Sequence, residues 1–138
     1  MDYEDEDFFT CKVVLLGESG VGKTSIIQRY INNTFSQGIS STGGANFTTK
    51  TMKFEEEKNT VKFEIWDTAG QERFRSLAKV FYKNAAICVL VYDITRRESF
   101  DELEKFWVDE IRNSVCSEVH KFLSYNYNII YSDGNCWE

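Results

Sequence analysis

Apolar and polar positions along the chain follow two periods in turn. Residues 11–16, Cys-Lys-Val-Val-Leu-Leu, are apolar and partly β-branched, as a buried strand should be. Behind them Ile26 and Tyr30, and Ile27 and Ile31, stand four apart. That is helical spacing, and it predicts a helix ending near Asn32-Asn33. Residues 34–46 are rich in Ser, Thr and Gly, show no period, and read as a mobile loop. Met52 and Phe54 begin an alternation that resumes at Val61, Phe63 and Ile65. The polar run Glu55-Glu56-Glu57-Lys58-Asn59 between them reads as a hairpin turn, so these two strands are expected to be antiparallel neighbours. Leu77, Val80 and Phe81 predict a short helix. Residues 86–92, Ala-Ile-Cys-Val-Leu-Val-Tyr, form a continuous apolar run suited to a central strand buried on both faces. Thr95 and Glu98 spell a T-x-x-E capping box. The helix after it would carry Phe100, Leu103, Trp107 and Ile111 on one side. Strands alternating with helices predict an α/β fold with right-handed crossovers, in which ligands bind beyond the carboxyl ends of the strands.

The ends of the chain differ from its middle. Asp2, Glu4, Asp5, Glu6 and Asp7 make the start acidic, and residues 1–9 read as a solvated, disordered tail. The patterned domain spans residues 10–115. Residues 116–138 form a divergent tail of uncertain structure, in which 122–131 has the character of a strand and nothing behind it resembles another helix.

Composition removes several function classes. A chain of 138 residues suits one domain, and 42% hydrophobic with 28% charged residues is a globular balance. The net charge of −6, with no basic stripe, argues against a nucleic-acid partner. No apolar run approaches a transmembrane span, and the N-terminus lacks a signal-peptide pattern. Cys11, Cys88, Cys116 and Cys136 show no C-x-x-C spacing, so a reduced, cytoplasmic compartment is the simplest fit. His120 has no metal-ligand partners at useful spacing and reads as a surface residue.

The candidate chemistry is concentrated in two places. Gly17-Glu18-Ser19-Gly20-Val21-Gly22-Lys23-Thr24 fits G-x-x-x-x-G-K-[ST], between a predicted strand and a predicted helix. Glycines let such a loop curl until its N–H groups converge on an anion, and the helix N-terminus adds its dipole. Lys23 can reach terminal phosphates as a point charge, and the Thr24 hydroxyl can ligate Mg²⁺. The second place is Asp67-Thr68-Ala69-Gly70-Gln71-Glu72, at the end of the third predicted strand. The Asp67 carboxylate would hold Mg²⁺, the Gly70 N–H can approach a last phosphate unhindered, and Gln71 could orient an attacking water.

Together with Trp66-Asp67-Thr68-Ala69-Gly70-Gln71-Glu72-Arg73-Phe74, the phosphate-loop motif resembles a Ras-superfamily small GTPase. Tyr92-Asp93-Ile94-Thr95 and Glu98-Ser99-Phe100 resemble its Rab family. Val61-Lys62-Phe63-Glu64-Ile65 and Ser76-Leu77-Ala78 lean toward the early endocytic members. The resemblance covers about residues 10 to 115. It implies a P-loop NTPase fold of the small-GTPase kind, a mostly parallel sheet with one antiparallel hairpin, and a C-terminal part that is incomplete. It implies a GTP/GDP switch in vesicle traffic, with Mg²⁺ held at Thr24, Thr42 and Asp67. Phe35 would cover the base edge, Thr42 would sense the γ-phosphate, and Gln71 would be the catalytic residue. Phe47, Trp66 and Phe81 match the aromatic trio that effectors read, with Tyr82 as the fallback because the third is usually a tyrosine. Exchange factors, GTPase-activating proteins and effectors would be partners, and association with endomembranes would follow.

This sequence also departs from the family. Gly43-Gly44 follows Thr42 where the family has an apolar residue, which raises the entropy of ordering that loop. The guanine-reading Asn-Lys-x-Asp and Ser-Ala-Lys motifs do not occur, nor do strand six and the last two helices. Cys136, followed by Trp137-Glu138, is a poor prenylation signal. No arginine is placed by the sequence to act on the phosphates in cis. Alternatives are therefore a degenerate effector- or phosphate-binding module without guanine selectivity, or a truncated product that does not fold.

Overall fold

The computed structural model describes residues 7–38, 40, 42–43, 45–70, 75–114 and 130–131. A five-stranded sheet forms the centre, in the order β2-β3-β1-β4-β5. Its strands are β1 (Asp7–Leu16), β2 (Ala45–Phe54), β3 (Asn59–Thr68), β4 (Ile87–Tyr92) and β5 (Ile130–Tyr131). β1 runs parallel to β3 and to β4, β4 parallel to β5, and only the β2–β3 hairpin is antiparallel. The hairpin turn falls at Glu55–Lys58 as the polar run predicts, with Lys58 at φ 53°.

Side-chain alternation splits the sheet into two cores. From β1, Val14 and Leu16 enter one core, while Val13 and Leu15 enter the other. On the first face lie α2 (Arg75–Tyr82) and a long helix made of α3 (Arg97–Glu102), a π turn (Leu103–Trp107) and α4 (Val108–Ser114). Tyr82, Leu103, Trp107 and Ile111 fill this core and are all at least 96% buried. The predicted face of the last helix is thus present, with Phe100 half-buried edge-on to Tyr92 at 5.1 Å. The π turn has a role in it. Residues four apart drift about 40° per step around an α-helix, and a wider turn offsets that drift. Ser99, Leu103, Trp107 and Ile111 therefore all point inward despite strict four-residue spacing. On the other face α1 (Lys23–Asn32) packs Ile26, Ile27 and Ile31 against Leu15, Ile65 and Val91.

Three expectations need correction. β1 begins at Asp7, because residues 7–9 pair with Asn59–Val61 of β3, so they belong to the sheet and not to the acidic tail. The T-x-x-E capping box does not form: the Asp93 carboxylate captures the Thr95 N–H and hydroxyl at 2.8 and 2.6 Å, and the helix starts one residue later with Arg96 as its cap. The short helix predicted from Leu77, Val80 and Phe81 is present as α2, with Tyr82 buried and Phe81 packed against the same core, while Val80 is 69% exposed. β4 is not buried on both faces. Val91 is fully covered, but Ile87 is 36% exposed. Its α1 side opens into an apolar groove of about 420 Å³ that Ile87 and Val89 line together with residues of α1, β1 and β3. Of the strand expected at 122–131, Ile130 and Tyr131 are described and pair with Val91 and Tyr92; residues 122–129, like His120, lie outside the described residues.

Candidate functional site: a phosphate loop and an oxygen cluster

The loop between β1 and α1 stands at the carboxyl end of the central parallel strands. Gly17, Gly20 and Gly22 have φ of 150°, 75° and 101°, backbone shapes that L side chains rarely adopt. Gly17 has a second reason to lack a side chain, since a Cβ there would lie 2.2 Å from the Val91 carbonyl oxygen. Val21, 2% exposed, anchors the loop in the core beneath α1. Gly22 caps α1 without any side-chain acceptor. The first N–H groups of the helix are therefore free to meet a ligand, with the helix dipole behind them.

Lys23 lies beneath this loop, 5% exposed. Its ammonium donates to the Gly17 carbonyl at 3.0 Å and to the Glu18 carbonyl at 2.7 Å, leaving one of its three donor hydrogens for a ligand. Burial pulls its pKa down to about 8, while the charges of Asp67 and Glu18 oppose that shift and Arg96 adds to it. Thr24, next along, donates its hydroxyl to Asp67 Oδ2 at 2.6 Å, and Thr42 Oγ1 stands 3.1 Å from the same hydroxyl. The three oxygen-bearing residues proposed as metal ligands thus converge from α1, from the loop before β2 and from the end of β3. Asp67 is 3% exposed, and burial raises its carboxyl pKa against the Thr24 hydrogen bond and the Lys23 charge. Its Oδ1 is buried with no hydrogen-bond partner.

A buried carboxylate oxygen without a partner costs on the order of 1–3 kcal/mol or more, so it marks a place for a cation. Hard oxygen donors suit Mg²⁺, which takes one or two carboxylates and completes its shell with water and phosphate oxygens. Among the described residues no cluster of three His, Cys, Asp or Glu could hold a metal unaided. Thr24, Thr42 and Asp67 therefore fit Mg²⁺ in company with a phosphate ligand.

These groups border one cavity of about 370 Å³, lined by Ser19, Gly20, Gly22, Lys23, Thr24, Thr42 and Gly70, among others. Phe35 stands at its rim, 46% exposed, beside Ser36, Gln37 and Gly38. Gly70 touches the phosphate loop directly: a Cβ there would come within 2.5 Å of the Glu18–Ser19 peptide. Gln71 lies outside the described residues, as does Gly44. The aromatic trio is contiguous. Phe47 meets Trp66 at 4.9 Å and Trp66 meets Phe81 at 5.8 Å between ring centroids, with the Lys12 ammonium 5.1 Å over Trp66. Tyr82, the fallback, is in the core and donates its hydroxyl to Glu110 at 2.7 Å.

The sequence reading missed Arg96, which donates from Nη2 to the Ser19 carbonyl at 3.0 Å. Its signal was position, just past the carboxyl end of β4, where loops of such sheets meet ligands.

Residues 12–128 match the sequence profile of the Ras family. The chain belongs to the Ras family, in its Rab branch. It is 52% identical over 101 residues to the human Ras-related protein Rab-22A, an alignment covering 73% of this chain and 50% of that protein. To the Ypt/Rab-type GTPase YPT7 of Saccharomyces cerevisiae it is 50% identical over 99 residues, covering 72% and 47%. RabJ of Dictyostelium discoideum is 46% identical over 108 residues, covering 78% and 41%. The chain thus spans about half the length of the curated relatives it matches. Its Rab membership accounts for the mostly parallel sheet with a single antiparallel hairpin, which is the P-loop small-GTPase architecture. No helix among the described residues is long and apolar enough to cross a membrane.

Proposed function

We propose that this chain binds GTP with Mg²⁺ and hydrolyses it slowly, as a Rab-type switch in vesicle traffic. The observation that carries the reading is the unpartnered Asp67 Oδ1 beside Thr24, Thr42 and Lys23. In this reading the loop N–H groups and Lys23 bind the phosphate chain, and Thr24, Thr42 and Asp67 hold Mg²⁺. The metal supplies charge neutralisation on the phosphate oxygens. Gln71 orients a water whose oxygen attacks the γ-phosphorus in line. The bond from that phosphorus to the bridging oxygen breaks with its electron pair left on GDP, and the attacking water's proton passes to a phosphate oxygen, giving GDP and phosphate. Catalysis is then mostly positioning and electrostatics. Arg96 is bonded to the loop's backbone and does not line the cavity, so an activating protein would supply the missing cation, worth roughly 10³–10⁵ in rate. Effectors would read the Phe47–Trp66–Phe81 surface, exchange factors would reload the site, and the protein would act in the cytoplasm and at endomembranes.

Chromatography of the nucleotide released by denaturing the purified chain tests this. GDP or GTP is the expected product, and a nucleotide-free protein counts against it. The alternative is a phosphate site without base selectivity. Titration with GTP and ATP in the presence of Mg²⁺ separates the two. A preference for GTP below about tenfold, or 1.4 kcal/mol, supports the second.

A further inference from the structure

Three consecutive peptide units of the phosphate loop have their carbonyl oxygens held by cations. Lys23 takes the Gly17 and Glu18 carbonyls from beneath, and Arg96 takes the Ser19 carbonyl from the α3 side. In a planar trans peptide the carbonyl and the following N–H point in opposite directions. Fixing the Ser19 carbonyl therefore fixes the N–H of Gly20, and both residues line the cavity. Gly20 sits at φ 75°, left-handed between neighbours of negative φ, an alternation in which N–H groups can converge on an anion.

Arg96 is itself held before any ligand arrives. Its Nε donates to Asp93 Oδ2 at 3.2 Å, and its own N–H donates to the Asp93 carbonyl at 3.0 Å. Asp93 is held in turn, its Oδ1 by Thr95 and its N–H by Ser99 Oγ at 3.0 Å. The neighbouring Arg97 is engaged elsewhere, with Asp101 at 3.0 Å, and does not duplicate the contact.

We propose that Arg96 is a positioning residue for phosphate binding: by holding the Ser19 carbonyl outward, it aims the Gly20 N–H into the cavity, toward the phosphate chain of the ligand. The proposal rests on the phosphate-site reading given above. It assigns Arg96 an effect on binding through the loop, with no contact to the phosphates themselves. A guanidinium pre-organised by a carboxylate suits the task because it loses little freedom when the loop is fixed.

The test uses the whole chain with inorganic tripolyphosphate and Mg²⁺, so that base recognition plays no part. Calorimetry should show Arg96→Ala binding about tenfold more weakly than the parent, in the range expected for losing one charge-assisted hydrogen bond. Arg96→Lys, which keeps the charge but makes a single-point contact, should fall between them. Asp93→Asn, which loosens the arginine without removing it, should also be intermediate. These two carry the test if the alanine variant folds poorly. The discriminating readout is amide hydrogen exchange. Tripolyphosphate should protect the Gly20 amide in the parent, and Arg96→Ala should lose that protection while the Lys23 and Thr24 amides keep theirs. A purely structural role would lower all three together, and that result overturns the proposal. So does binding by Arg96→Ala within twofold of the parent. If Lys23→Ala loses binding while Arg96→Ala does not, the phosphate site stands and Arg96 falls. If the parent itself does not bind tripolyphosphate, both fall.

Discussion

Replacing Gly70 by alanine puts a methyl group into space the phosphate loop already occupies. The added Cβ would stand 2.4 Å from the Glu18 carbonyl carbon and 2.5 Å from the Glu18 oxygen and Ser19 nitrogen. Ordinary contact begins near 3.4 Å, so the two segments must part by about 1 Å. All three atoms are backbone, and no side chain can swing aside to spare them. Thr24 and the start of α1 are anchored independently by Val21 and the α1 core, so they should stay in place. On the reading proposed above, the strain then falls on the approach of Gly70 to the last phosphate. A 1 Å misplacement of a positioning group can cost about 10²-fold in rate. Gly70→Ala should therefore lower single-turnover GTP hydrolysis about 100-fold, yet leave GDP affinity within about threefold, which is under 1 kcal/mol. Gly43→Ala is the control, because a Cβ there meets nothing within 4 Å. Rapid-quench hydrolysis assays and GDP titration measure the two quantities. Hydrolysis by Gly70→Ala within threefold of the parent would refute the argument, as would a GDP affinity that falls as far as the rate.

Lys23→Ala removes the one buried ammonium of the loop and should weaken phosphate binding by about 10³-fold, the scale of one charge contact at 4 Å in partly screened surroundings. Calorimetry showing a change under threefold would exclude Lys23 from the site. The same residue sets a pH dependence in the ligand-free, metal-free chain. Its pKa is about 8 when folded and 10.5 as a free lysine, so between those values the unfolded chain holds a proton that the folded chain has released. Its own contribution to stability should thus rise with pH across that window, by up to roughly 3 kcal/mol, while the buried Cys88 thiol, pushed up to about 11 from 9.0, works the other way above about pH 9; urea unfolding should therefore show the parent gaining on Lys23→Ala as pH rises from about 8 to 10.5. Trp107→Ala empties a fully buried site and should cost about 3–5 kcal/mol in urea unfolding. Trp107→Phe should cost much less, because the indole N–H it deletes has no partner.

The parts of this molecule legible in its sequence are those governed by local rules. The strand–loop–helix setting of residues 11–31 follows from apolar period and glycine placement, and the helix face of Leu103, Trp107 and Ile111 from spacing alone. The convergence of Thr24, Thr42 and Asp67 followed from the family resemblance, and the hydroxyl–carboxylate contacts now supply its geometry. What periodicity could not show depends on contacts between distant segments. Thr95 looked like a helix cap until Asp93 competed for its hydroxyl. The half-open α1 side of β4 is invisible in an apolar run, because the run records hydrophobicity and not coverage. Arg96 had no motif to announce it, and its partner, Ser19, is 77 residues away.

The pleat of β3 has a consequence for which insertions the chain can accept. Trp66 packs toward α2 and the aromatic surface, while Asp67, one residue on, reaches Thr24 on the α1 side. Adjacent residues of a strand face opposite ways, so the proposed read-out surface and the proposed metal ligand are separated by a single peptide. One added residue between Asn59 and Trp66 would exchange the two faces, placing an indole against Thr24 and a carboxylate among Phe47 and Phe81. The Glu55–Lys58 turn, by contrast, carries no such phase, and extra residues there leave both faces as they are. In an insertion scan the hairpin should be permissive and β3 intolerant, with the boundary falling where the strand begins.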